Sequence, residues 1–233
     1  MGQKIRPFSY RLGIVNNWIS RWIPKTKNFK NFLEEDCLIR KIVNQKIAMA
    51  GIVRIEIERS GDNTFRIIIK AARPGLVIGR GGKGIEDLTK AIDTELKKLF
   101  LKRKQVAKFA ISLNVEELRR SEVSAQYTAQ SLAWDLEKRL PFRRTMKRYI
   151  ENAMSNPKEV QGIKIKLSGR LDGGEIARRE WLAKGKLPLQ TLRANIDYGE
   201  ATAFNTYGTV GIKVWIYKGE VFDKDATIKR DKA

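Results

Sequence analysis

Histidine is missing from this chain altogether, and cysteine occurs once, at Cys37. The first absence removes the side chain that most often serves as general base and metal ligand near neutral pH. The second leaves no partner for a disulfide or a cysteine-ligated zinc site. Cys37 falls in a helical pattern and reads as a small core or boundary residue in a reducing compartment. No apolar run approaches the ~20 residues that span a bilayer, and the N-terminus has no continuous hydrophobic region of the secretory kind. Acids are scarce beside bases, with 26 Asp+Glu against 47 Lys+Arg and a formal charge of +21. An imbalance of that size favours a polyanionic partner, because each neutralised phosphate releases counterions. Lys4, Arg6, Arg11, Arg21, Lys25, Lys27 and Lys30 all precede the first acid, Glu34. Serine is sparse there and Trp18, Trp22 and Pro24 interrupt the pattern, which argues against an organelle transit peptide. Residues 1–30 therefore read as a basic arm of the mature protein, lying along a phosphate backbone.

What is present is enough for a core: 233 residues, 42% of them hydrophobic, set a prior of one or two domains. Asn31 with Glu34 resembles a helix capping box, and Leu33, Cys37, Leu38, Ile42, Ile47 and Ala50 follow at helical spacing up to Gly51. Val53, Ile55 and Ile57 alternate with charged residues as a half-buried strand. Turn residues at 60–63 and a second strand over 65–71 complete a hairpin. Pro74 suits the start of a short helix. After the glycines, Ile85, Leu88, Ile92, Leu96 and Leu99 mark a longer helix, and Ala107, Phe109, Ile111, Leu113 and Val115 a third strand. A second unit opens near Ser121 with two helices, on Ala125, Ala129, Leu132, Leu136 and Leu140 and on Phe142, Met146, Ile150 and Ala153. Strands follow over 163–168, 177–187, 191–198 and 210–217. The fold class is α+β: a first domain at 31–118, then at 119–219 two helices on one face of a largely antiparallel sheet, with a charged, disordered tail at 220–233.

Four glycines and two cations at 79–84 carry the most specific chemistry. Gly79, Gly81 and Gly84 fit the dinucleotide fingerprint, but that motif needs a preceding strand and an acid about twenty residues later. Here Lys102, Arg103 and Lys104 occupy that place. A P-loop fails as well, since its first glycine position is Val77 and the residue after Lys83 is Gly84. Gly79-Arg80-Gly81-Gly82 instead fits the G-x-x-G loop of a KH domain, which joins two helices and clamps a single-stranded backbone. Gly79, Arg80, Gly81, Gly82 and Lys83 are the candidate RNA-binding residues of that loop. A glycine-rich turn without a ligand is the alternative.

The helix and strand before the core match the type II KH order. Met1-Gly-Gln-Lys-Ile-Arg-Pro7, Arg11-Leu-Gly-Ile14, Ala72-Arg-Pro-Gly-Leu-Val-Ile-Gly79 and Ser168-Gly-Arg-Leu171 extend the match. So do Glu175-Ile-Ala-Arg178, Thr191-Leu-Arg-Ala194, Ile196-Asp-Tyr198, Thr206-Tyr-Gly208 and Gly211-Ile-Lys-Val-Trp215. In these segments, running from Met1 to about Glu220, the chain resembles the bacterial-type family of small-subunit ribosomal protein three, type II KH-domain proteins of the subunit head. Arg6 departs from the histidine common there and keeps a cation. The resemblance implies a three-stranded KH sheet with helices, binding to small-subunit rRNA in the lower head, contacts with neighbouring head proteins, and contact with mRNA on its way in, assisting passive unwinding. It implies no cofactor, metal or catalytic residue, no membrane, and a place in the cytoplasmic ribosome, an organelle stroma being equally compatible.

The family's mRNA-contacting cluster corresponds here to Arg143, Arg144, Lys147 and Arg148. Arg143 with Lys147 and Arg144 with Arg148 are also i,i+4 pairs on one helix, where like charges repel and a polyanion offsets the repulsion. An ordinary solvated basic face is the alternative. Lys4, Arg6, Arg11, Arg170, Arg178, Arg179, Lys184 and Lys186 are the expected rRNA-binding residues. Trp181 admits two readings, a base-stacking ring or the commoner core ring of a strand. Trp215 and Tyr217 are candidates for protein or RNA contact, and Trp18 and Trp22 for packing on the first domain. An enzyme acting on nucleic acid is the rival class. Its carboxylates would have to come from Glu34-Glu35-Asp36 or Glu116-Glu117, at element edges where acids commonly cap helices.

Overall fold

The computed structural model describes residues 4–24, 28–60, 64–103, 109–118, 123–155 and 159–222. They form two compact units, one of residues 19–119 and one that joins residues 1–18 to 120–233. The segment read as a basic arm is thus divided between the two. Ala107 and the part of the tail beyond 222 lie outside the described residues. No helix among the described residues is long and apolar enough to cross a membrane.

In the first unit a two-residue strand, β1 (Ser20–Arg21), precedes the helix α2 (Phe29–Lys46). The short helix α1 (Pro7–Tyr10) belongs to the other unit. The antiparallel strands β2 (Ile52–Arg59) and β3 (Thr64–Ala71) follow, then α3 (Pro74–Ile78), α4 (Lys83–Lys102) and β4 (Ala110–Glu117). The sheet order is β1-β2-β3-β4, with β1 parallel to β2 and β4 parallel to β3. The arm therefore adds a fourth strand to the three expected. Ile39 and Val43 of α2 and Leu88, Ile92 and Leu96 of α4 close over Ile55, Ile57, Phe65, Ile67 and Ile69.

The helix α2 is rotated from its expected face. It begins at Phe29 with Asn28 as N-cap and no capping side chain, so the proposed box at Asn31 does not form. Its inward stripe is Phe32, Glu35, Asp36, Ile39 and Val43, while Leu33 and Cys37 are exposed. Arg59 is the physical reason. Its guanidinium is enclosed, donating to Glu35 Oε2 at 2.7 Å, Asp36 Oδ1 at 2.6 Å and the Phe32 carbonyl at 2.9 Å. It also stacks over Phe32 and Phe65, at 4.3 and 4.5 Å from the ring centroids. Arg103, at the end of α4, donates to Glu35 at 2.6 Å and Glu34 at 2.5 Å. Asp36 Oδ2 accepts from the Trp22 indole at 2.8 Å and from the Ser20 hydroxyl at 3.0 Å, which ties β1 to α2. Of the carboxylates considered as enzyme candidates, Glu34, Glu35 and Asp36 are thus absorbed into ion pairs of the fold, and Glu116 lies 3.5 Å from Lys70.

In the second unit α5 (Ala125–Glu137) and α6 (Phe142–Met154) cover one face of an antiparallel sheet of β5 (Gly162–Gly169), β6 (Arg178–Gly185), β7 (Ala194–Asn205) and β8 (Gly208–Glu220), ordered β6-β5-β8-β7. Leu132, Leu136, Phe142, Met146 and Ile150 pack on Ile163, Ile165, Leu167, Ile212, Val214 and Ile216. Leu140, expected on α5, falls after it and is partly exposed. Asp197 Oδ2 accepts the Ala125 N–H at 3.0 Å, so a strand carboxylate caps the first turn of α5.

Removing one member of a buried, hydrogen-bonded ion cluster leaves charge without compensation, which costs about 3–5 kcal/mol. Arg59→Met is expected to lower the hydrogen-exchange opening free energy of the β2–β3 amides by about that amount. A change below about 1 kcal/mol would show that Arg103, Trp22 and Ser20 satisfy the two carboxylates without Arg59.

Candidate nucleic-acid interface

The glycine loop is built by the approach of two helices. Gly79, Gly81 and Gly82 have φ of 69°, 62° and 80°, where a side chain is strained. They turn the chain from α3 into α4 within four residues. Gly84 serves a different purpose: a Cβ there would lie 2.5 Å from the Val77 carbonyl oxygen and 2.9 Å from that of Ile78. The first turn of α4 therefore sits directly on the end of α3. Arg80 and Lys83 are exposed on the loop, and no acid pairs with either among the described residues. The result is a short run of backbone and two free cations, the arrangement that a single-stranded phosphate backbone can approach.

The basic face of α6 follows from its amphipathic sequence. Phe142, Met146, Ile150 and Ala153 are buried, so Arg143, Arg144, Lys147 and Arg148 face solvent. They line an open groove with Pro141 and Glu151. Two of the four are held by the fold. Arg143 Nε donates to Glu180 Oε2 at 3.0 Å and its Nη2 to Oε1 at 3.1 Å. These bonds hold the Glu180 carboxyl below its ordinary range and raise the Arg143 guanidinium. Arg148 is ion-paired with Asp135, which also accepts from the Tyr149 hydroxyl at 2.9 Å. Burial, with that hydrogen bond, pushes the Tyr149 hydroxyl up to about 12. Arg144 and Lys147 have no acid partner among the described residues, and they are the pair left for an anion.

The expected rRNA-binding cations divide the same way. Lys4, Arg179, Lys184 and Lys186 are exposed and carry no acid partner among the described residues. Arg6 pairs with Glu200, Arg178 lies 3.6 Å from Glu180, and Arg170 donates to the carbonyls of Gly174 at 2.8 Å and Tyr207 at 3.3 Å. Arg11 is a correction. It is 0% exposed, and its guanidinium donates to the carbonyls of Pro7, Leu189 and Thr191 at 3.1, 2.6 and 2.9 Å. Burial lowers its pKa, and no phosphate can reach it. It pins α1 to the 188–191 segment. Two aromatic expectations also shift. Trp181 is 60% exposed rather than core, and Tyr217 is buried rather than a contact residue. Trp22 packs edge-on to Phe32 at 5.6 Å, while Trp18 stays exposed. Lys164, Lys166 and Lys213 form no motif together in the sequence. Their alternation in the strands was visible, but their convergence depends on β5–β8 register, Lys166 lying opposite Lys213.

Gly84→Ala is expected to separate α3 from α4 and to destabilise the first unit more than Gly82→Ala, whose left-handed backbone costs about 1–2 kcal/mol but meets no neighbour. Hydrogen exchange at the Gly79 amide, which donates to Gly75, reads the difference. Equal effects would mean that the helices do not need the close approach.

Residues 38–123 match the KH domain family, and residues 132–216 match the family described as Ribosomal protein S3, C-terminal domain. Among curated relatives, small ribosomal subunit protein uS3 of Maridesulfovibrio salexigens is 48% identical over 225 residues, covering 97% of this chain and 99% of that protein. The uS3 protein of Alkaliphilus oremlandii is 45% identical over 221 residues, covering 95% and 87% respectively. That of Hydrogenovibrio crunogenus is 44% identical over 234 residues, covering 100% and 96%. With relatives 44–48% identical that cover 95–100% of the chain, and family matches in both units, this chain belongs to the family of small ribosomal subunit protein uS3.

Proposed function

We propose that the chain is a structural, non-enzymatic constituent of the small ribosomal subunit in the cytoplasm, bound to rRNA in the lower head beside other head proteins, and that α6 contacts mRNA where it enters. Family membership supports the ribosomal part of this reading. The pairing pattern on α6 carries the mRNA part. Asp135 and Glu180 neutralise Arg148 and Arg143, which removes most of the like-charge cost of the helix and fixes its outer cations. Arg144 and Lys147 stay unpaired on the same exposed surface, one helical turn wide. A moving single strand is served by such a grip: point charges hold successive phosphates weakly, without reading bases. Unwinding assisted by this face is passive, since the cations favour the separated strand while translocation elsewhere pulls it. Lys4, Arg179, Lys184, Lys186 and the Arg80–Lys83 loop serve rRNA docking in this scheme.

Subunits reconstituted with Arg144→Ala/Lys147→Ala are expected to assemble normally and to co-sediment with wild-type yield. They should translate an unstructured message at the normal rate and a message with a stable hairpin several-fold more slowly. Failure to assemble would move both residues to an rRNA role, and an unchanged hairpin delay would remove α6 from the mRNA path.

A further inference from the structure

The face of the second sheet turned away from α5 and α6 brings Trp181, Arg179 and Trp215, contact candidates taken singly in the sequence, together with lysines that form no motif there. Register puts one row across it of Ala183, Lys164, Trp215 and Tyr198, and a second of Trp181, Lys166, Lys213 and Glu200. Arg179 follows in the next row, opposite Ser168. The Lys164 ammonium lies 4.7 Å from the Trp181 ring centroid and 6.0 Å from that of Trp215, which in turn meets Tyr198 at 5.5 Å. One end of the face is closed by a small core of Ala194, Ile196 and Tyr217 under Leu187. Away from that core, on the β6 side of the face, Trp181 is 60% exposed.

The charge on this face is one-sided. Its acid, Glu200, is already ion-paired with Arg6. Lost hydration lowers the Lys166 pKa, and the positive fields of Lys4, Arg179, Lys213 and Lys164 lower it further. So dense a cluster of cations around exposed indole is costly for a free protein surface, and a negatively charged occupant would relieve it. A protein partner would need a matching acidic patch with an apolar centre. A nucleic acid strand supplies both needs at once, with phosphates for the cations and a π-face for the ring.

We propose that this sheet face is a further RNA-docking surface, on which an unpaired base stacks against Trp181 while its flanking phosphates meet Lys166, Lys213 and Arg179. The inference rests on the reading of the chain as an RNA-binding ribosomal constituent and adds a site to it. The surface is distinct in kind from α6. It pairs charge with a stacking ring, so it holds one nucleotide in place where α6 lets a strand slide. Lys164, over one face of the indole, braces it, which keeps the ring oriented before RNA arrives.

The test uses the full chain and a fluorescein-labelled single-stranded oligoadenylate, with anisotropy as readout and circular dichroism as the check on folding. Trp181→Ala is expected to weaken binding about tenfold, in the range set by loss of one stacked base, and Trp181→Phe to recover most of it. Lys166→Glu/Lys213→Glu, which keeps the ring, should weaken binding at least as much. Unchanged affinity in the Trp181 and the Lys166/Lys213 variants, with Arg144→Ala/Lys147→Ala still weakened, overturns this surface and leaves the α6 reading intact. Unchanged affinity in all of them overturns both. Unchanged affinity together with loss of a neighbouring head protein from reconstituted subunits assigns the face to a protein and likewise overturns the proposal.

Discussion

A chain with 21 excess positive charges has to fold against its own repulsion, and the placement of its few acids governs everything else. Glu35 and Asp36 are spent in the interior on Arg59 and Arg103, where dehydrated ion pairs must be complete to be tolerated. Glu56 answers Arg21 and Lys70 on the outer side of the first sheet. Asp135 and Glu180 secure α6, Glu200 secures Arg6, and Glu220 secures Arg193. Cations that the fold needs are matched. Cations without an acid partner among the described residues include Arg80 and Lys83 of the glycine loop, Arg144 and Lys147 of α6, and Lys166, Lys213 and Arg179 of the open sheet face, and on these surfaces a polyanion has charges free to meet.

The allocation separates two uses of the same residue type. Arg59 and Arg11 are enclosed, and their Nη groups donate to carboxylates or carbonyls, so they act as fasteners. Arg144 is exposed and unpaired, so its donors remain available. The glycine loop adds backbone to this scheme, because positive-φ glycines let a strand come close where Arg80 and Lys83 wait. In each case local conformation decides how near an anion can come, and the acids decide whether a cation is free to meet it.

Much of this was legible in the sequence. The hairpin, the loop between α3 and α4, and the apolar stripe of Phe142, Met146, Ile150 and Ala153 follow from periodicity and turn chemistry, and the structure buries that stripe. The α2 face was misread because a search for apolar spacing skips Glu35 and Asp36, and only a buried guanidinium from a distant strand turns them inward. Arg11 looked like every other cation of the N-terminal segment. Besides the nearby Pro7 carbonyl, its partners are the carbonyls of Leu189 and Thr191, some 180 residues away in the chain, and carbonyls leave no mark in a sequence. Trp181 was ambiguous because strand alternation fixes which residues share a face but not which face is covered. The cations of the sheet face depend on register between β5, β6 and β8, which spacing within one strand does not set.

The salt dependence of RNA binding tests the allocation of charge most directly. For single strands, log K falls with log salt by about 0.7 per phosphate neutralised. Arg144→Ala/Lys147→Ala should flatten that slope by about 1.4, since both cations are free for phosphate. Arg193→Ala, which removes an exposed cation of the same unit already held by Glu220 at 2.7 Å, should leave the slope unchanged. Equal flattening by the paired and the unpaired cations would contradict the account, because it would mean that the acids do not decide which charges meet RNA.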